Sequence, residues 1–246
     1  MTDPLAPLLA LTDVAPALQR ARDRIDDALR HRALRRHGGR VAAEVGLRSA
    51  VASAALEGSG HDLEAVRAGT VTDPVLQGAL RVAEAIPGLV DLWLKAPRQV
   101  LAKVHVLAAR GVTDPEALGR PVADPLVAAR LDTMFSVLAT GTKTPLLLAA
   151  VVHGELLALR PFPGPSGVVA RAAARLTLLA TGVDPRGLVA VEVGHHEREP
   201  EYVGSAGAFA TGTRDGIRAW LRHYLTAVEI GAGQLVAIGD DVLAAG

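Results

Sequence analysis

The chain has 246 residues with 26 basic and 26 acidic side chains, so it is formally neutral and is not built as a general polyanion binder. It has no cysteine, which excludes a disulfide framework, a thiol nucleophile and a cysteine-ligated metal. The length suffices for a full hydrophobic core, and aromatic residues at 3% are too sparse for a nucleic-acid stacking surface.

Asp3 stands where a secretory leader would be basic, and Pro7, Thr12, Asp13 and Pro16 interrupt the apolar run around it. No apolar stretch reaches the ~20 residues that a membrane-spanning helix needs. The expectation is a cytoplasmic protein with no membrane attachment. It divides into an N-terminal arm over 1–13, a helical domain over 14–230 and a packed C-terminal extension over 231–246.

From Val14 to about His37 the apolar positions Leu18, Ala21, Ile25, Ala28 and Leu29 fall on one helical face, and Gly38-Gly39 is expected to end that helix. The basic run from Arg30 to His37 suits a solvated helix end. A second helix is expected over Val41 to Leu56, stopped by Glu57-Gly58-Ser59-Gly60. Glu57 follows Ala54, Ala55 and Leu56, so if buried it needs a cation or helix-terminal donors.

Asp73-Pro74, Asp114-Pro115, Asp124-Pro125 and Asp184-Pro185 each place a capping carboxylate before a proline, the pattern of a helix start. Helices are expected at 63–68, 74–85, 97–109 and 125–139, with a short turn at 115–118; the spacing is too irregular for a repeat. Next come two alanine-rich apolar segments separated by Arg160-Pro161-Phe162-Pro163-Gly164-Pro165-Ser166-Gly167. Three prolines and two glycines in those eight residues cannot continue a helix. The loop is a built interruption, and small residues around it permit close helix packing.

Residues 189–193 fit a short strand or packed loop, and the run through Glu201 a polar surface connection. His195 and His196 are adjacent and point to different sides of a regular element, which argues against a metal pair. A helix is expected over 213–230, with Trp220 and Tyr224 serving either as core or as a face for self-association. The last residues give weaker guidance, with Leu235 to Ile238 fitting helix or strand.

From Pro145 to Arg171 the sequence resembles the Fic (Fic/Doc) family, whose loop pattern is H-x-F-x-(D/E)-G-N-G-R-x-x-R. Pro161, Phe162, Gly167 and Arg171 keep that pattern. Arg160 stands at the histidine base, Gly164 at the acidic magnesium ligand, Ser166 at the asparagine and Val168 at the first arginine. Ser53-Ala54-Ala55-Leu56-Glu57-Gly58 matches the S/T-x-x-x-E-G of an inhibitory helix, whose glutamate pairs in the family with the second loop arginine. The resemblance therefore implies an all-α Fic-like bundle, with at most a very short hairpin, and a clasp of Ser53, Glu57 and Gly58 on Arg171. Where active members insert a longer target-binding hairpin, Gly119 to Pro125 is short.

The family commonly transfers AMP to protein hydroxyls. An arginine that stays protonated is no base, and glycine offers magnesium no side-chain ligand. His153 lies two turns before Arg160, roughly 10 Å by helix rise, and Glu155 is no better placed as a metal ligand. No catalytic or metal residue is therefore assigned. Ser166, Gly167, Arg171 and Arg160 are the phosphate-binding candidates, with Pro161 and Phe162 as loop support. No cofactor follows from composition; the resemblance implies ATP or another phosphorylated small ligand, without a clear place for magnesium. A structural or protein-interaction module, including a homo-oligomer, and an unconventional nucleotidyl or phosphoryl transferase remain the alternatives. Neither nucleic acid nor membrane is expected as a partner.

Overall fold

The computed structural model describes residues 3–245, and over these the chain folds entirely into helices and connecting turns. The α-helices run in the order α1 (Val14–Leu29), α2 (Gly38–Ala55), α3 (Leu63–Arg67), α4 (Pro74–Ala85), α5 (Val90–Trp93), α6 (Pro97–Ala109), α7 (Pro125–Thr140), α8 (Pro145–Leu159), α9 (Ser166–Ala180), α10 (Val191–Glu197), α11 (Glu199–Ala210) and α12 (Arg214–Ala244). Short 3-10 segments lie at Ala6–Ala10, Arg32–Arg35, Ile86–Leu89 and Pro115–Ala117. Among the described residues there is no sheet, only an isolated bridge between Arg110 and Thr113, and no helix long and apolar enough to cross a membrane.

A helix with no polar face must be covered on every side. α8 is such a helix: Leu146, Leu147, Leu148, Ala149, Ala150, Val152 and Leu156 are all buried. It forms a hairpin with α9, its most extensive helix partner, and the loop between them buries Pro161, Phe162 and Pro165 while Arg160 and Gly164 stay exposed. α2, α4, α5 and α6 cover α9, while α7, α11 and α12 cover α8. Gly154 lets α8 approach the far side closely, because a Cβ there would meet the Trp220 and Phe209 rings. Trp220 Nε1 donates to the Ala150 carbonyl at 2.8 Å, so the buried indole is both packed and hydrogen-bonded.

The aspartate starts work as capping chemistry demands at three places. Asp73 accepts from the Leu76 amide, Asp114 from Glu116 and Asp124 from Leu126. Asp184 corrects the fourth expectation. It is buried and accepts from the Leu188 and Val189 amides at 2.9 and 2.8 Å, closing a turn rather than starting a helix.

Several boundaries also differ from the sequence expectation. α1 stops at Leu29, and Gly38-Gly39 opens α2 instead of closing its predecessor. The polar connection expected through Glu201 is helical, and so is its apolar lead-in from Val191; together they make α10 and the start of α11. The final helix continues unbroken through Leu235 and Ile238 to Ala244, so residues 231–244 continue a long helix, and position 246 lies outside the described residues. Gly231 is accommodated there by close packing, since a Cβ would strike the Ala190 backbone.

Candidate functional site

α2 ends in a tight reversal. The Ser59 amide donates to the Ala54 carbonyl at 3.0 Å and the Gly58 amide to the Ala55 carbonyl at 2.8 Å, with Gly58 in the left-handed region at φ 84°. That stop leaves Glu57 at the helix tip, its carboxylate against the first turn of α9. A Cβ on Gly167 would collide with Glu57 Oε1 and crowd Arg171 Nη1, so glycine makes room for both.

Arg171 lies in the opening turns of α9 and is 3% exposed. Its Nη2 donates to Glu57 Oε1 and to the Ser53 carbonyl, both at 2.8 Å. Nε donates to Ser53 Oγ at 2.9 Å and Nη1 to the Tyr202 hydroxyl at 3.1 Å. A guanidinium cannot shed its charge, so burial is tolerable only with such partners. Ser53 and Glu57 reach it together because residues four apart share a helix face. No side chain caps the start of α9, which leaves the positive end of its dipole facing Glu57 as well.

The loop itself is held from outside by backbone and one imidazole. His105 Nε2 donates to the Pro163 carbonyl at 2.8 Å, its Nδ1 accepts the Gly119 amide at 2.9 Å, and its ring stacks on Phe162 with centroids 4.7 Å apart. The amide contact fixes the tautomer, and burial keeps the ring below the ordinary histidine pKa. The Val122 amide donates to the Pro161 carbonyl at 2.8 Å, so the short 119–123 segment closes over the loop. Gly164 has φ 79°, and a Cβ there would run into Thr113 Oγ1. Arg160 ends α8 in the left-handed region at φ 44° and ψ 57°, and its Nε reaches Ser166 Oγ at 3.4 Å. Val168 is buried against α2 and α4 beside Ser49, Ala50 and Ala79.

On the other side of Arg171 lies a buried cluster. His153 of α8, His195 of α10 and His223 of α12 pack with Tyr202, Trp220 and Tyr224. His153 Nε2 meets the Tyr202 hydroxyl at 3.0 Å, and His195 Nδ1 meets His223 Nε2 at 3.0 Å. Burial first, and neighbouring positive charge second, hold His153 and His195 well below the ordinary imidazole pKa. Burial lowers His223 to about 4 and raises the Tyr202 phenol.

The candidates from sequence thus converge unequally. Ser53, Glu57, Gly167 and Arg171 meet at one point; Arg160 and Ser166 adjoin it, and Pro161 and Phe162 support the loop. Glu155 is engaged by Arg130 at 2.7 Å. His195 is buried rather than on a surface turn, while His196 stays near Glu199 at 3.8 Å. Trp220 and Tyr224 are fully buried and serve as core rather than as a face for self-association. Among the described residues, no group of three or more His, Asp or Glu side chains is arranged to hold a metal ion. The sequence reading missed Tyr202, His105 and His223. For Tyr202 the available signal was its spacing from Phe209, two turns apart on α11.

No protein-family model and no curated protein matches the chain. Solved structures do, and they define its class: the chain has a Fic-like helical fold. It is similar to a Fic family protein from Desulfovibrio desulfuricans G20, at 21% identity and a TM-score of 0.74 over 90% of this chain and 74% of the other. It is similar also to Fic-1 from C. elegans, at 18% identity and a TM-score of 0.71 over 96% of this chain and 75% of the other.

Proposed function

We propose that the protein is a Fic-like scaffold that has kept a gated anion site and given up ordinary adenylyl transfer. The observation that carries this reading is the Glu57 carboxylate set between Gly167 and Arg171 at 2.8 Å from the guanidinium. An uncapped helix start beside a buried arginine is where a phosphate would sit, and Glu57 is the protein's own anion in that place. Displacing Glu57 would free the Arg171 Nη2 donor that it holds and uncover the start of α9.

Arg160 supports the same reading. A non-glycine residue in the left-handed region costs about 1–2 kcal/mol, yet this backbone turns the guanidinium to Ser166. It supplies beside the helix start a positive charge that Val168 does not. The transfer chemistry lacks its parts: Arg160 cannot take a proton, and Gly164 has neither a ligand nor space for one. The ligand class is a nucleotide or another phosphate ester, bound without adenylyl transfer.

A non-catalytic scaffold is the second reading, favoured by the closure of 119–123 over the loop through Val122 and Pro161. Calorimetric titration with ATP, ADP and AMP, with and without magnesium, separates the two. The gated site predicts binding about tenfold or more tighter in Glu57→Gly than in the intact chain, and weaker again when Arg160→Ala is added. No heat from any nucleotide in folded Glu57→Gly would sink the anion site and leave the scaffold. A reproducible AMP adduct by mass spectrometry would overturn the loss of transfer.

A further inference from the structure

Arginine can only donate hydrogen bonds, and that fact sets the direction of every bond behind the clasp. Arg171 Nη1 donates to the Tyr202 oxygen at 3.1 Å, so the Tyr202 proton goes on to His153 Nε2 at 3.0 Å. A neutral His153 accepting on Nε2 carries its proton on Nδ1. That Nδ1 is buried and has no partner among the described residues. His195 Nε2 and the Tyr224 hydroxyl are also buried without partners. All three rings line one small cavity between α8, α9, α10 and α12, together with Arg171, Arg175 and Glu192.

The cavity offers about 10 Å³ to the centre of a water molecule, at the lower edge of the ~10–15 Å³ that one buried water needs. Apolar cavities of such size stay dry, whereas one with two to four polar partners is filled. We infer that a single water molecule occupies this cavity, accepting from His153 Nδ1 and donating to His195 Nε2, with the Tyr224 hydroxyl as its third partner.

The water joins two halves that are otherwise separate. His195, accepting on Nε2, carries its proton on Nδ1 and donates it to His223 Nε2 at 3.0 Å, which leaves the His223 proton on Nδ1. One donor direction then runs from Arg171 through Tyr202, His153, the water and His195 to His223, whose Nδ1 is buried and has no partner among the described residues. All three imidazoles take the Nδ1-protonated form, whereas His105, with Gly119 donating to its Nδ1, takes the other. Tyr202 acts here as a positioning residue, presenting its oxygen to Arg171 because His153 takes its proton. The inference is independent of whether the clasp gates an anion.

Nitrogen-15 NMR of histidine-labelled protein near pH 7.5 tests it directly. The expected spectrum has His153, His195 and His223 protonated on Nδ1 and His105 on Nε2, with a cross-relaxation signal between a bound water and the His153 Nδ1 proton. Tyr202→Phe removes the bond that fixes His153, and the water link predicts that the His195 signals change in step. A His153 proton on Nε2 in the intact protein, or no water signal at His153, would overturn the proposal, and neither reading depends on how the variant folds. His195 signals unmoved in folded Tyr202→Phe would also contradict the water link.

Discussion

The site has histidines on two sides in opposite circumstances, one against the loop over 160–165 and three behind Arg171. On the outer side His105 has both nitrogens paired with backbone groups and its ring on Phe162, so it behaves as a staple with one tautomer and no slack. On the inner side His153, His195 and His223 each keep a nitrogen unpartnered among the described residues, those of His153 and His195 beside a cavity next to a buried cation. The difference separates the part of the site that fixes shape from the part that carries charge. Changes outside should shift stability and leave electrostatics alone; changes inside should do both.

The largest expected effect is on the inner side. Arg171→Ala removes the cation that Glu57, Ser53 and Tyr202 surround, and should cost about 3–5 kcal/mol in urea unfolding. A loss below about 1 kcal/mol would mean that the clasp contributes little. Acid should come next. The inner imidazoles fold with lowered pKa, so their neutral state favours folding above an unfolded value of ~6.5. Stability is lost as pH falls below that value toward the folded ones, reaching about 4 for His223. The groups around them are Arg171 and Arg175 on α9, Glu192 on α10, Arg198 before α11, Tyr202 and Glu201 on α11, and Tyr224 on α12. A loss on the order of 2–3 kcal/mol between pH 7 and pH 4 should survive in His105→Leu, whose own ring contributes less.

On the outer side His105→Leu leaves the Pro163 carbonyl and Gly119 amide without their partner, at about 2 kcal/mol. Its effect on any ligand titration should be smaller than that of Arg160→Ala. The smallest effect belongs to Gly164→Ala, at about 1–2 kcal/mol from its left-handed backbone, with some crowding at Thr113. A neutral result in thermal melts would show that the 110–113 turn moves aside.

The loop and the helices that frame it were largely legible in the sequence, though its staple His105 was not. Proline and glycine from 161 to 167 announce a loop, and aspartate before proline announces the helices that frame it. Glu57 was legible as a carboxylate in need of a cation, and Arg171 as the partner the resemblance supplied. The inner side was hidden because burial there goes against composition. The run from Glu192 to Glu201 is polar along its length, yet α10 wedges between α2 and α12 and turns His195 inward, with Gly194 against the Ala227 backbone. A proline at 200 disguised the start of α11, and with it Tyr202. The residues after Ile230 gave weak guidance, with Leu235 to Ile238 fitting helix or strand, yet packing carries one helix through them.

The central claim is that Glu57 occupies a seat made for an anion at the start of α9. A crystal structure of Glu57→Gly grown with inorganic phosphate examines that seat itself. The account predicts a phosphate on the amides of Gly167 and Val168 with Arg171 Nη2 donating to it. Crystals in which Arg171 turns to another carboxylate, or in which phosphate is absent from the helix start, would contradict it.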